Sequence, residues 1–160
     1  MIVVSDATPL IALSKIEKLS LLQRLFGDLY VPPAVYAEVV THAPEYPGAS
    51  EIGQAAWITT MHLQDTTKVR YLRTELDLGE AEALVLAEEL NADWVLLDES
   101  KARRIAKALD IPCIGTVGLL LIAKRRGYVT GLRPLLDQLR SQRFHLSDRL
   151  YEAVLRQAGE

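Results

Sequence analysis

The 160-residue sequence predicts an α/β sandwich, a mostly parallel sheet covered by helices on both faces. Three observations carry that expectation. The strand candidates are short apolar runs without polar alternation, as in IVVS (2–5), LYV (29–31) and WVLL (94–97). Segments of helical periodicity separate them. Two of the runs stop at an acid, Asp6 after IVVS and Asp98 after WVLL, and ligands of such folds meet the carboxyl ends of the strands.

The elements follow in order. After the strand at 2–5, Thr8 reads as an N-cap and Pro9 as a first helical residue, where its missing N–H costs nothing. Helical periodicity runs on through PLIALSKI and KLSLLQRLF to Gly27. A strand at 29–31 leads to Pro32-Pro33, which launches the helix PAVYAEVV. THAPEYPGAS (41–50), dense in Pro and Gly, reads as a loop, and 57–62 as a strand. Helices are expected over 66–76 and 78–91, a strand over 94–97 and a helix over 100–109. A strand at 112–114 then precedes a helix at 116–126 closed by Gly127, and helices near 131–141 and 147–157 finish the chain.

A chain of this length buries roughly 70% of the surface its unfolded form exposes, so it needs no covalent staples. Its single cysteine, Cys113, excludes an internal disulfide and reads as a structural thiol in a reducing, cytoplasmic setting. The longest apolar stretch, VGLLLIA (117–123), is too short to span a bilayer, so a soluble protein without membrane attachment is expected. The net charge of −3 argues against a non-specific nucleic-acid binder. It hides an asymmetry: residues 1–100 hold 6 Lys/Arg against 16 Asp/Glu, residues 101–160 hold 12 against 5. Either the fold sets an acidic centre beside a basic wall, or these are solvated helix faces.

Four acids are candidates for one site. Asp6 and Asp98 stand at strand ends, though a single Asp there also starts turns and caps helices. Glu38 lies early in PAVYAEVV, where a surface glutamate near a helix N-terminus gains about 0.5 kcal/mol from the dipole alone. Glu80 closes Asp77-Leu-Gly-Glu80, a capping box in form, with Asp77 as N-cap. It is also in line with Leu84 and Ala87, at the rim of the buried stripe. Glu82 is about 200° further round the helix and is expected to face solvent. If Asp6, Glu38, Glu80 and Asp98 meet, each like-charged pair near 4 Å repels by about 4 kcal/mol at an effective dielectric of 20. Protons or a hard divalent cation must relieve it, and oxygen-only ligands suit Mg²⁺ or Mn²⁺. Such an ion activates water and holds a phosphodiester in line. Beside Asp98, the helix SKARRIAKAL offers Lys101, Arg103, Arg104 and Lys107 to phosphates, or presents an ordinary solvated face.

The stretches VVSDATPLIALSKI, VPPAVYAEVV, LGEAEALVLAEEL and WVLLDESKARRIAKALDIPCIGTVG together resemble PIN-domain proteins, within a prokaryotic branch related to the VapC toxins. The resemblance spans roughly residues 2–127, with 128–160 as a helical extension of a single domain covering 1–160. It implies a Rossmann-like α/β/α sandwich and an endoribonuclease whose Asp6, Glu38, Glu80 and Asp98 bind Mg²⁺ or Mn²⁺. Thr8 joins Lys101, Arg103 and Arg104 as RNA contacts. It also implies a homodimer and a small antitoxin partner that blocks the site. The sequence departs from the family pattern in three places: Glu80 stands where Asp is usual, Leu96 where Thr or Ser often precedes the last strand-end Asp, and Ser100 where a further acid is common.

Two functional readings follow. One is a metal-dependent endoribonuclease, the other a non-catalytic PIN-like module that binds RNA or a protein partner. A haloacid-dehalogenase-like phosphatase also begins with a strand-end Asp, but Asp6-Ala-Thr lacks the second Asp two residues on.

Overall fold

The computed structural model describes residues 1–42, 44–46 and 48–160. Its sheet has five parallel strands: β1 (Val3–Ser5), β2 (Leu29–Val31), β3 (Ile58–Thr60), β4 (Trp94–Leu96) and β5 (Cys113–Ile114), in the order β3-β2-β1-β4-β5. The chain builds outward from β1 on one side, then crosses over to add β4 on the other. The order reverses between β1 and β4, and that reversal opens a crevice at their carboxyl ends.

Successive strand residues face opposite layers. Val3, Leu96 and Ile114 join one apolar core with α1 (Ala7–Lys15), α2 (Ser20–Phe26), α8 (Thr116–Arg125), α9 (Arg133–Ser141) and α10 (Asp148–Gln157). Val4, Val95 and Leu97 join a second with α5 (Thr66–Leu72), α6 (Leu78–Glu89) and α7 (Ser100–Ala108). Both faces are therefore covered, as the unalternating apolar strands predict. Leu10, Leu13, Leu22, Leu84 and Leu120 are wholly buried, and each contributes about 1.5–3 kcal/mol by leaving water. On α7 only Ala102 and Ala106 are buried, so its cations lie on the outer face.

Several boundaries differ from the sequence reading, for local reasons. Asp6, not Thr8, is the N-cap residue of α1, and the helix begins at Ala7. The predicted continuous helix to Gly27 breaks after Lys15, where Glu17 takes φ 58°. The N–H of Lys18 then reaches back to the Leu13 carbonyl, and that of Glu17 to Ser14, a helix-ending motif that hydrophobic periodicity does not reveal. After α3 (Pro33–Tyr36) the helix widens into a π-helical turn, Ala37–Thr41, closed by the His42 N–H on the Ala37 carbonyl. Of the predicted loop 41–50, Ala43 and Pro47 lie outside the described residues, and Ala49–Gln54 forms an unpredicted helix, α4.

The last two helices are clasped to the body through Glu160. Its carboxylate accepts from Lys124 Nζ on α8 at 2.7 Å and from the N–H groups of Leu132 and Arg133 at the start of α9. No helix among the described residues is long and apolar enough to cross a membrane.

Candidate functional site

The acids collect at the carboxyl end of β1. Asp6 leaves the strand with its N–H bonded to the Leu96 carbonyl of β4 at 3.1 Å, and its side chain is only 5% exposed. The N-terminus of α6 comes up beside it. A Cβ added to Gly79 would lie 3.3 Å from Asp6 Oδ1, 3.6 Å from Asp77 Oδ1 and 3.6 Å from Val35 Cγ2. Gly79 therefore lies between the two aspartates and α3, and a methyl there would be tight only against the Asp6 oxygen. Glu38, three residues past Val35 on the same side of the chain, sits in the π-helical turn and reaches solvent.

Asp77 and Glu80 form a complete capping box. Asp77 Oδ1 accepts from the Glu80 N–H at 2.8 Å, and Glu80 Oε1 from the Asp77 N–H at 3.0 Å. The sequence predicts this box; the structure adds that the cap itself stands inside the acidic group. Glu80 is 7% exposed.

The electrostatics record the crowding. Burial pushes the Asp6 carboxyl from 3.8 up to about 7, opposed by the neighbouring Ala7 N–H and reinforced by the charges of Asp77, Glu80 and Glu38. Glu80 also rises to about 7, chiefly by burial. The Asp77 N–H it holds opposes that rise, and the charges of Asp77 and Glu99 add to it. Glu38 moves upward for the same two reasons, lost water and Asp77. Among the described residues none of these four acids has an ion-pair partner.

Asp98 is differently placed. Its Oδ1 accepts from the Thr116 N–H at 2.8 Å and its Oδ2 from the Thr116 hydroxyl at 2.6 Å. Arg103 lies alongside, with Nη1 donating to the Leu97 carbonyl at 3.3 Å. Gly115 makes room, since a Cβ there would stand 2.6 Å from Arg103 Nη1 and 3.0 Å from Asp98 Oδ1. Burial raises the Asp98 carboxyl, while Thr116 and Arg103 pull it down. The charges acting on Asp6 are those of Asp77, Glu80 and Glu38, with Asp98 not among them. The structure therefore gathers Asp6, Glu38 and Glu80, adds Asp77, and ties Asp98 to Thr116. Among the described residues, no three His, Cys, Asp or Glu side chains surround a common point as ligands.

Of the residues expected at RNA, Thr8, Lys101, Arg103 and Arg104 are all exposed, and the Arg103 guanidinium also donates to the Leu97 carbonyl near Asp98. Glu82 does not simply face solvent. Its Oε1 accepts from the Ala34 N–H at 2.9 Å, satisfying one of the free donors at the start of α3. A helical wheel of α6 alone could not reveal that, because the donor comes from 48 residues earlier.

The family model described as DUF3368, a PIN domain, matches residues 2–160. The chain belongs to this PIN-domain family. Comparison with curated proteins and with solved structures returns no match. The match takes in α9 and α10 as well as the stretches in which the resemblance was first read. PIN domains are generally nucleases and typically use divalent metals, and the five-stranded parallel sheet between helical layers agrees with the PIN-like sandwich. In this PIN domain the hydroxyl beside the last strand-end Asp comes from Thr116, not from the strand itself, where Leu96 is buried in the core. Sequence reasoning passed over Thr116. The rule that selected Asp6 and Asp98 also selects it, since Gly115-Thr116 directly follows β5.

Proposed function

We propose that this PIN domain is a metal-dependent endoribonuclease that uses Mg²⁺ or Mn²⁺. The observation that carries the reading is the group of Asp6, Glu38, Asp77 and Glu80 at the switch point of the sheet, buried in part and without cationic partners. An uncompensated cluster of hard oxygen donors is costly for folding, and a divalent cation is the ligand that relieves it. Asp6, Glu38 and Glu80 would hold the ion, with Asp98 at the neighbouring strand end, and Asp77 is a further candidate. Glu80 can do so through Oε2, because only its Oε1 accepts from the Asp77 N–H. When bound, the ion supplies Lewis-acid polarisation of a phosphodiester and of water.

The chain's own groups do the rest. Thr116 fixes the orientation of Asp98, and Arg103 adds a positive charge nearby. Thr8, Lys101 and Arg104 stand exposed where they can contact phosphates, and Arg103 serves Asp98 first. The VapC likeness further supports a toxin role, a homodimer and a small antitoxin partner. Purified protein assayed on several RNAs with Mg²⁺ or Mn²⁺, with EDTA and an Asp6→Asn variant as controls, tests the reading. Cleavage that needs metal and is lost in the variant is expected; none under any condition counts against it.

A second reading has specific support. The capping box ties Asp77 and Glu80 to each other through one oxygen apiece, and no three acids are arranged about one point among the described residues. A non-catalytic PIN module that binds RNA or a protein would keep this arrangement. A thermal melt separates the two, because single-site metal binding at ten times Kd adds about 1.4 kcal/mol of stability. The second reading expects no shift.

A further inference from the structure

A groove runs along α1, away from the acidic cluster. Thr8, Ile11 and Lys15 on α1 line one side, at helical spacing that places them on one face, and Leu139, Arg143 and Phe144 line the other. Thr8 is two residues past Asp6, and Lys15 is about 10 Å further along the helix at 1.5 Å per residue. The floor is apolar. The rim carries two cations, and among the described residues neither the Lys15 nor the Arg143 side chain makes an ion pair.

Several cations of the second half near α9 and α10 are engaged elsewhere, while Lys101 and Arg104 stand exposed on α7. Lys124 holds Glu160, Arg140 holds Asp148 and stacks on Tyr151, and Arg126 bonds the Leu25 carbonyl. Arg143 is kept at φ 66°, the position after α9 that usually takes glycine, where the Phe144 N–H closes back on the Leu139 carbonyl.

We propose that this groove binds one nucleobase of a single-stranded RNA, stacked on Phe144 over the Ile11–Leu139 floor, with its flanking phosphates on Lys15 and Arg143. The inference rests on the nuclease reading for its choice of ligand. Size decides for one base: the cavity is about 160 Å³, well under the ~300 Å³ from which small-molecule pockets begin. Charge decides for a polyanion. The acidic cluster repels RNA, so a strand reaching Asp6 needs cations beside its path, and this rim supplies two that no internal acid neutralises.

The test measures binding in EDTA, so that it does not depend on cleavage. A fluorescein-labelled, mixed-sequence single-stranded RNA of about eight nucleotides is titrated with the full chain and read by anisotropy. Phe144→Leu keeps the floor filled and removes the ring, and affinity should fall by roughly tenfold. Arg143→Gly suits the backbone, so it should fold, and should lower the slope of log K against log salt by about 0.7; Lys15→Gln should do the same. An RNA with one base removed at the seated position should bind the parent weakly and show no further loss with Phe144→Leu. Variants that melt normally yet bind RNA within about twofold of the parent, with an unchanged salt slope, overturn the proposal. It is equally overturned if they lose only self-association or a protein partner. Groove-dependent binding without metal-dependent cleavage would leave this inference standing while the nuclease reading fails.

Discussion

Glu80 and Glu160 are the same side chain treated in opposite ways. Glu160 meets a lysine and two backbone N–H groups at the junction of α8 and α9, and its carboxyl is drawn from 4.5 down to about 2. Glu80 sits among Asp6, Asp77 and Glu99 with no cation, and is pushed up to about 7. The first carboxylate is favoured by the fold; the second is tolerated by it. Acids that served stability alone would be given donors and cations, as the exposed Glu160 is. The strand-end cluster withholds that compensation, which points to a partner from outside the chain.

The largest way to break the comparison is to remove the worst-placed charge. Asp6→Asn keeps the shape of the buried side chain and deletes its ionisation. On the nuclease reading, metal-dependent cleavage falls by at least about 100-fold. Stability moves the other way: at pH 8 the variant should gain roughly 1–3 kcal/mol, because a desolvated, repelled carboxylate is gone. Loss of activity together with a lowered melting temperature would mean that Asp6 is a structural group.

The same cluster fixes the pH dependence. Folded Asp6 and Glu80 hold protons up to about 7, whereas unfolded they release them near 3.8 and 4.5. Between those values the folded state binds more protons, so stability falls as pH rises through the window and levels off above it. Without added metal, the melting temperature at pH 5 should exceed that at pH 8 by roughly 10 °C, taking about 2–4 °C per kcal/mol for a domain of this size. Asp6→Asn should remove much of the difference. A flat profile would show that water or a local rearrangement already relieves the cluster.

This contrast also marks what the sequence could and could not disclose. Strands, most helices and the capping box are local: apolar runs without alternation, helical spacing, and Asp77 three residues before Glu80 suffice for them. The strand-end position of Asp6 and Asp98 was equally legible, because it needs only the end of a run. What escaped depends on groups far apart in the chain. Asp77 reads as a cap until α6 is docked beside β1. Glu82 reads as solvent-facing until Ala34 arrives with an unpaired N–H. Thr116 is invisible as a partner of Asp98 until β5 pairs with β4. The helix break at Glu17 is local in space, but it turns on a left-handed backbone that a non-glycine residue does not advertise.

Asp98 stands between the two extremes, partly buried yet supplied with donors like Glu160. Gly115→Ala tests whether that supply matters. The new methyl would sit 2.6 Å from Arg103 Nη1, whose flexible end can swing away, and 3.0 Å from Asp98 Oδ1, which Thr116 holds in place. Arg103 should leave, at a cost of about 1–2 kcal/mol. The loss should fade as pH falls and Asp98 takes up its proton, since the cation matters only to the ionised acid. In an Arg103→Gln background the substitution should cost less, because the pair shares one interaction. Additive losses would mean that the methyl strains the backbone and leaves the Asp98–Arg103 neighbourhood intact.

The smallest expected effect belongs to the opposite end of the molecule. Glu160→Gln keeps an acceptor for the Leu132 and Arg133 N–H groups but gives up the charge that Lys124 meets. The site is open to water, so the melting temperature at neutral pH should fall by only a few degrees. Its pH profile is the reverse of the cluster's. A carboxyl lowered from 4.5 to about 2 contributes its full stability above 4.5 and loses it as pH falls toward 2. The gap between parent and variant should therefore be constant from pH 5 to pH 8, the range in which Asp6→Asn changes most, and should close only in acid. If it instead opened and closed near pH 7, Glu160 would be coupled to the strand-end acids, and the molecule would not keep its two kinds of carboxylate apart.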